Sequence, residues 1–307
     1  AWCAYRLGWW RVAEREMSKL GAYSPLSRAG RRARYWALRS LERWRPEEAK
    51  RRALSLFRER PVDWYGILLQ GRYPEVLIEA KTLYLPAAPV EVAPTTGFDN
   101  QAAEVRLLGQ VGLKDFSRRA LDHLAPRLRA ADRWPLEAQL AAITGDAERL
   151  YVGTMTEHGA TIRGAPQYEE RWLWAAAYPR GFVPLVRRAA REYKVDENLI
   201  YSFMRKESAF DPDALSKAHA VGLMQLLPKT ARAIQKRSVQ PGLSVGKGEG
   251  AFKPIELFRP SVNINLGTWY VAALNNRFAR QLPLVTAAYN AGPRTVVSWF
   301  RRGGPVD

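Results

Sequence analysis

The 307-residue sequence predicts an all-α chain in two parts, a helical-repeat (α-solenoid) domain over residues 1–177 and a second helical domain over residues 178–307. Three observations carry this prediction. Apolar residues recur at helical rather than strand spacing, as at Leu199, Ile200, Phe203 and Met204. Helix starts with a Pro and acids in the first turn recur through the first part, as at Pro46-Glu47-Glu48-Ala49 and Trp134-Pro135-Leu136-Glu137. The length suits two domains, and 47 % hydrophobic residues are ample for buried cores.

Taken in order, the run Arg31-Arg32-Ala33-Arg34-Tyr35-Trp36-Ala37-Leu38-Arg39 sets arginines among Ala and Leu at helical spacing, which reads as a helix with a solvated basic face. Pro46 opens the next helix. The Pro- and Val-rich stretch from Leu85 to Gly97 reads as a linker or extended loop. Helical units follow from Ala102 through Leu113, from Phe116 to Leu128 and from Trp134 to Asp146. Their length suggests helix pairs of a solenoid, although no fixed repeat period is visible.

In the second part, Asp196 is a natural N-cap for a helix whose apolar stripe runs through Ile200, Phe203 and Met204. Position 207 continues that stripe, and it is a glutamate. One reading is a misfit polar residue paired with Arg205, Lys206 or another cation. The other is a general acid, because burial disfavours the charged carboxylate and lets the group hold a proton near neutral pH. Downstream, Gly222-Leu223-Met224-Gln225 offers a Gly that permits close backbone approach and an amide that both donates and accepts. The stretch Ala287-Ala288-Tyr289-Asn290-Ala291-Gly292-Pro293 reads as a helix end. Asp211 and Asp213, in a Pro-containing segment, read as turn and capping residues.

In this order and spacing, the Glu207-Ser208 pair, Ser216, the Gly222–Pro228 stretch, Asn263-Ile264-Asn265-Leu266-Gly267-Thr268-Trp269-Tyr270 and Ala288-Tyr289-Asn290-Ala291-Gly292 resemble the catalytic domain of the soluble lytic murein transglycosylases, relatives of goose-type lysozyme. The resemblance implies a lysozyme-like α domain with Glu207 as the single catalytic acid and base. It implies substrate-binding roles for Ser216, Met224, Gln225, Tyr289 and Asn290, with Ser216 beside the N-acetyl group of the reacting sugar. It further implies cleavage between N-acetylmuramic acid and N-acetylglucosamine with closure of a 1,6-anhydro ring, in the periplasm of the bacterial cell envelope. Asp63-Trp64-Tyr65-Gly66-Ile67-Leu68-Leu69 also looks like the superhelical region of that family. Where the family often has a small residue, this chain has His219, expected at the solvent-exposed rim. Beyond Gly303–Asp307 the family continues with a further segment, so the domain is expected to be truncated at its C-terminus.

Other chemistries find no support. His123, His158 and His219 are far apart and Cys3 stands alone, so neither a metal nor a redox centre is expected, and no cofactor. Gly246-Lys247-Gly248-Glu249-Gly250 lacks the pattern of a phosphate loop and reads as a surface loop. No apolar run is long enough to span a membrane, and the start at Ala1 lacks a charged n-region and apolar core, so any signal peptide is expected to have been removed already or never included. The formal charge is +18, with net +11 over residues 178–307 and +7 over residues 1–177. A nucleic-acid partner would need a recognition motif that the sequence lacks; an acidic glycan fits the charge. The 11 Trp residues suit sugar faces as well as bases. The expected partners are thus peptidoglycan strands and cell-wall proteins meeting the helical-repeat domain, with the chain a monomer. A hydrolytic muramidase and a non-catalytic glycan-binding scaffold remain the alternative readings.

Overall fold

The computed structural model describes residues 1–83, 97–164, 171–237 and 252–303. Among these residues the chain is all-α, with seventeen α-helices, one 3₁₀ turn and two isolated antiparallel bridges. The bulk of the Leu85–Gly97 stretch and all of Gly246–Gly250 lie outside the described residues. The chain divides into two compact units, one of Ala1–Ala103, Leu121–Leu140 and Gly153–Ala177, the other of Glu104–Ala120, Ala141–Val152 and Tyr178–Asp307.

The first unit begins with α1 (Trp2–Arg6), α2 (Trp10–Tyr23), α3 (Arg28–Leu41), α4 (Pro46–Glu59), α5 (Trp64–Arg72) and α6 (Pro74–Leu83). Each packs on its neighbours in sequence, α2 on α3, α3 on α4, and α4 on both α5 and α6, as successive elements of an α-solenoid do. Tyr35, Leu38, Leu56, Phe57, Leu69 and Val76 form one shared core. The caps follow the local chemistry: Ser27 and Asp63 each accept a backbone N–H of the first turn, from Gly30 at 3.0 Å and Gly66 at 2.8 Å. Pro46 opens α4 with Glu47 and Glu48 in its first turn, as the sequence predicts.

The basic face of α3 differs from expectation. Arg34 forms a fork with Glu59 at 2.5 and 2.6 Å, and Arg39 meets Glu42 at 3.2 Å. Arg31 is only 2 % exposed and ion-paired with Asp63. The sequence pattern missed this because the acids that draw in the arginines come from other turns and helices of the same unit.

The middle of the chain supplies α7 (Asp99–Gln110), α8 (Lys114–Ala130), α9 (Trp134–Thr144), α10 (Ala147–Ile162) and α11 (Arg171–Ala177). The second unit adds α12 (Val183–Tyr193), α13 (Glu197–Glu207), α14 (Pro228–Arg237), the 3₁₀ turn Pro254–Phe258, α15 (Pro260–Arg277), α16 (Leu282–Ala291) and α17 (Pro293–Gly303). Its core joins four of these helices. Val186 and Ala189 of α12, Ile200 and Met204 of α13, Ile264 and Val271 of α15, and Val285 and Ala288 of α16 share one buried cluster. Each Val, Ile or Met side chain among them contributes about 1.5–3 kcal/mol on full burial, so this cluster is what fixes α13 against α15 and α16. No helix among the described residues is long and apolar enough to cross a membrane.

Candidate active site

Helix α13 starts where the sequence says it should. The Asp196 carboxylate accepts the Asn198 N–H at 2.7 Å, and the stripe of Ile200, Phe203 and Met204 turns inward. Glu207 is the last helical residue and is half-buried. The helix is then stopped hard: Ser208 takes φ −128°, and Ala209 and Phe210 both adopt left-handed backbone at φ 55° and 69°. Such conformations cost side-chain-bearing residues on the order of 1–3 kcal/mol each. Burial of Phe210, 2 % exposed and edge-on to Tyr151 at 6.1 Å, offsets that cost.

Among the described residues no cation lies within ion-pairing distance of Glu207. Arg205, two residues earlier, leans instead over the rings of Tyr151 and Tyr178 at 4.6 and 4.5 Å. Burial holds the Glu207 carboxyl above its ordinary range, and Lys206 opposes this only as the lesser influence. Of the two readings of Glu207, the ion-paired one thus finds no partner among the described residues.

Beside the helix end lies a tight double turn over residues 214–226. Leu215 bridges Val221, and Val221 bridges Leu226, both antiparallel. The Gly222 N–H donates to Ala214 O at 2.8 Å, and Ser216 exchanges backbone hydrogen bonds with Ala220 and His219 at 2.9 Å. The Ser216 hydroxyl accepts the Ala220 N–H at 2.9 Å. Gln225, at φ 46°, donates its Nε2 to Ala214 O and Gly222 O, both at 3.1 Å, so its carbonyl oxygen is the part of the amide left to meet a ligand. Asp211 accepts the Asp213 N–H at 2.7 Å, a turn cap as expected. His219 is exposed, also at positive φ.

Three side chains tie this turn to the helices. Ser208 Oγ donates to Leu223 O at 2.9 Å, joining the end of α13 to the turn. Asn263, fully buried on α15, accepts the Met224 N–H at Oδ1 and donates from Nδ2 to Val221 O and Leu257 O, all at 2.8 Å. The Tyr289 hydroxyl, from α16, donates to Met224 O at 2.7 Å. Glycines make the fit possible. A Cβ at Gly222, which sits at φ 71°, would meet Asn263 Nδ2 at 2.5 Å, and one at Gly267 would collide with Met224 Sδ.

The expected site residues thus fall unevenly. Glu207 and Tyr289 come together: burial raises the Tyr289 phenol well above its usual range, and the Glu207 charge is the next cause. Tyr289 also lies against Phe203 at 4.3 Å and Tyr270 at 5.4 Å between ring centroids. Ser216 and Gln225 share the turn. Asn290 is exposed near the end of α16, ahead of Gly292 at φ 84°. The Met224 side chain is fully buried in the core, so only its backbone is engaged by residues of the site. Sequence reasoning missed the part played by Asn263. The available signal was an amide four residues before Gly267 on the inward face of an apolar helix. No cluster of His, Cys, Asp or Glu able to hold a metal occurs among the described residues.

Residues 184–306 match the family model described as the transglycosylase SLT domain. The soluble lytic murein transglycosylase of Salmonella typhimurium is 30 % identical over 282 residues, 89 % of this chain and 39 % of that protein. The membrane-bound lytic murein transglycosylase C of Actinobacillus succinogenes is 38 % identical over 132 residues, 39 % of this chain and 34 % of its own length. Among solved structures, an inactive mutant of the lytic transglycosylase Slt from Pseudomonas aeruginosa matches with a TM-score of 0.61 and 27 % identity, covering 97 % of this chain and 44 % of that one. The 70 kDa soluble lytic transglycosylase of Escherichia coli matches with a TM-score of 0.61 and 27 % identity, covering 88 % of this chain and 40 % of that one. This chain therefore spans about two fifths of the length of these relatives. Like those neighbours it is all-α, a helical repeat followed by a lysozyme-like domain.

Proposed function

We propose, from the premise that residues 184–306 are a transglycosylase SLT domain homologous to that of the soluble lytic murein transglycosylases, that this chain cleaves the glycan strands of peptidoglycan as a lytic transglycosylase. The observation that carries the reading is Glu207, a half-buried carboxyl held above its ordinary range, without a cationic partner among the described residues. Residues 178–307 serve as the catalytic domain and residues 1–177 as the helical-repeat domain. The chain works in the periplasm.

In this mechanism Glu207, protonated, gives its proton to the glycosidic oxygen between N-acetylmuramic acid and N-acetylglucosamine as the C1–O bond breaks. The acetamido group of the muramic residue supports the developing positive charge at C1, which is why one carboxyl suffices where most glycosidases use two. The Glu207 carboxylate then takes the proton of the muramic 6-hydroxyl as that oxygen bonds to C1. The ring closes to a 1,6-anhydro sugar without water, and Glu207 returns to its acid form. Asp211 is engaged in its own turn, which leaves no second acid assigned to the reaction.

Ser216, Gln225, Tyr289 and Asn290 hold the sugar, and Met224 contributes through its backbone. Mass spectrometry of purified sacculi after incubation with the chain tests this. Anhydromuramic ends are expected; reducing muramic ends would make it a hydrolase, and undigested sacculi would make it a binder.

A further inference from the structure

The first unit carries a groove of about 1010 Å³ within residues 1–65, formed by parts of α1, α2 and α3 and by the start of α5. That is at the upper end of the roughly 300–1,000 Å³ typical of ligand sites, room for more than one sugar ring. Its charge is one-sided: Arg28, Arg31, Arg32 and Arg60 line it, against the single acid Asp63.

At the centre of the arrangement is Arg31, 2 % exposed. Its Nε faces Asp63, but Nη1 and Nη2 have no hydrogen-bond partner. A buried guanidinium with two unmet donors is rare, because buried polar groups are almost always satisfied. The two donors match a carboxylate, which accepts two parallel hydrogen bonds from the guanidinium fork. Around it stand indoles that a carboxylate alone would not need. Trp2 is 43 % exposed and Trp64 51 %, both bordering the groove. Aromatic faces of this kind stack on the apolar faces of sugar rings.

We propose that this groove is a second glycan site, taking a sugar that carries a carboxylate, with the Arg31 fork receiving the acid and the Trp2 and Trp64 indoles packing on the rings. The inference rests on the proposed substrate, whose lactyl ethers supply such carboxylates, and would make the helical-repeat unit a holding point for the strand that the other unit cuts.

The test is calorimetry on the Glu207→Gln chain, which removes turnover, with two soluble probes: an N-acetylglucosamine–N-acetylmuramic acid tetrasaccharide, and a tetrasaccharide of N-acetylglucosamine alone. The acid-bearing probe is expected to bind at two sites and the neutral one at one. Arg28→Gln/Arg32→Gln, both exposed positions that spare the fold, should weaken the second site about tenfold for the acid-bearing probe and leave the neutral probe unchanged. Trp64→Ala should weaken the same site. Equal losses for both probes, or none, would overturn the proposal, as would a groove occupied by a poly-glutamate peptide but not by the tetrasaccharide. Cleavage is measured separately with Glu207 in place, so a chain that binds the acid-bearing probe in the groove yet cuts nothing refutes the proposed reaction and not the groove.

Discussion

The Asn263 side chain accepts the Met224 backbone N–H at 2.8 Å, across 39 residues of sequence, and with its two donated bonds it holds the turn that faces Glu207 and Tyr289. Asn263→Ala leaves the buried Met224 N–H and the Leu257 carbonyl unmatched, each worth about 1–3 kcal/mol, while the Val221 carbonyl keeps the Leu226 N–H. The expected outcome is a loss of roughly 3 kcal/mol or more in urea unfolding. Asn263→Asp, which keeps the acceptor but loses the donor, should recover only part of it. Unchanged unfolding midpoints would remove Asn263 from this role.

Glu207→Gln is expected to keep the fold and glycan binding while cleavage falls by roughly 100- to 10,000-fold, the usual worth of general-acid action. Turnover on sacculi measures it, and a variant retaining more than about a tenth of the activity would sink the catalytic assignment.

The raised Glu207 carboxyl also has a pH signature. Folding favours its protonated form, so the buried group costs nothing below the ordinary carboxyl range and becomes destabilising as pH rises through its folded value. Glu207→Gln should therefore melt higher than the wild-type chain at pH 7 and alike at pH 4. The same titration predicts that cleavage by the wild-type chain declines as pH rises past that raised value, because the acid form is the one that acts. Melting curves that differ equally at both pH values would contradict the assignment of burial as the cause.

Ser216→Ala and Gln225→Ala should each slow turnover by roughly tenfold, about 1.4 kcal/mol, with little change in binding, if the two groups hold the reacting sugar in position. Both also bond within their own turn, so thermal melting must accompany the kinetics. Asp211→Asn and Asp213→Asn should stay within a few-fold of wild type. An Asp variant as dead as Glu207→Gln would replace the one-carboxyl mechanism with a two-carboxyl one.

Binding to sacculi should weaken as salt rises, since screening cuts the reach of exposed charges to about 8 Å at physiological ionic strength. Co-sedimentation at low and high salt reads this directly. Equal binding at both would make the +18 charge incidental to recognition.

Much of this was legible in the chain of letters because it is local. Asp196 as a cap, Pro46 as a start and the inward stripe ending at Glu207 all depend on neighbours within two turns, and helical periodicity reports such neighbours faithfully. The glutamate was visible as an anomaly in that stripe. Its lack of a cationic partner was not, since Arg205 could as well have turned toward it as toward Tyr151 and Tyr178.

What the tertiary structure alone decided is which polar groups are spent on the protein itself. The buried bonds of Asn263 to a turn 39 residues away, the reach of Tyr289 to Met224, the enclosure of the Met224 side chain and the burial of Arg31 join segments distant in sequence. No periodicity encodes such meetings. In the second unit they follow from how four helices close over one core, and that closure sets both the burial that raises the Glu207 carboxyl and the shape of the turn beside it.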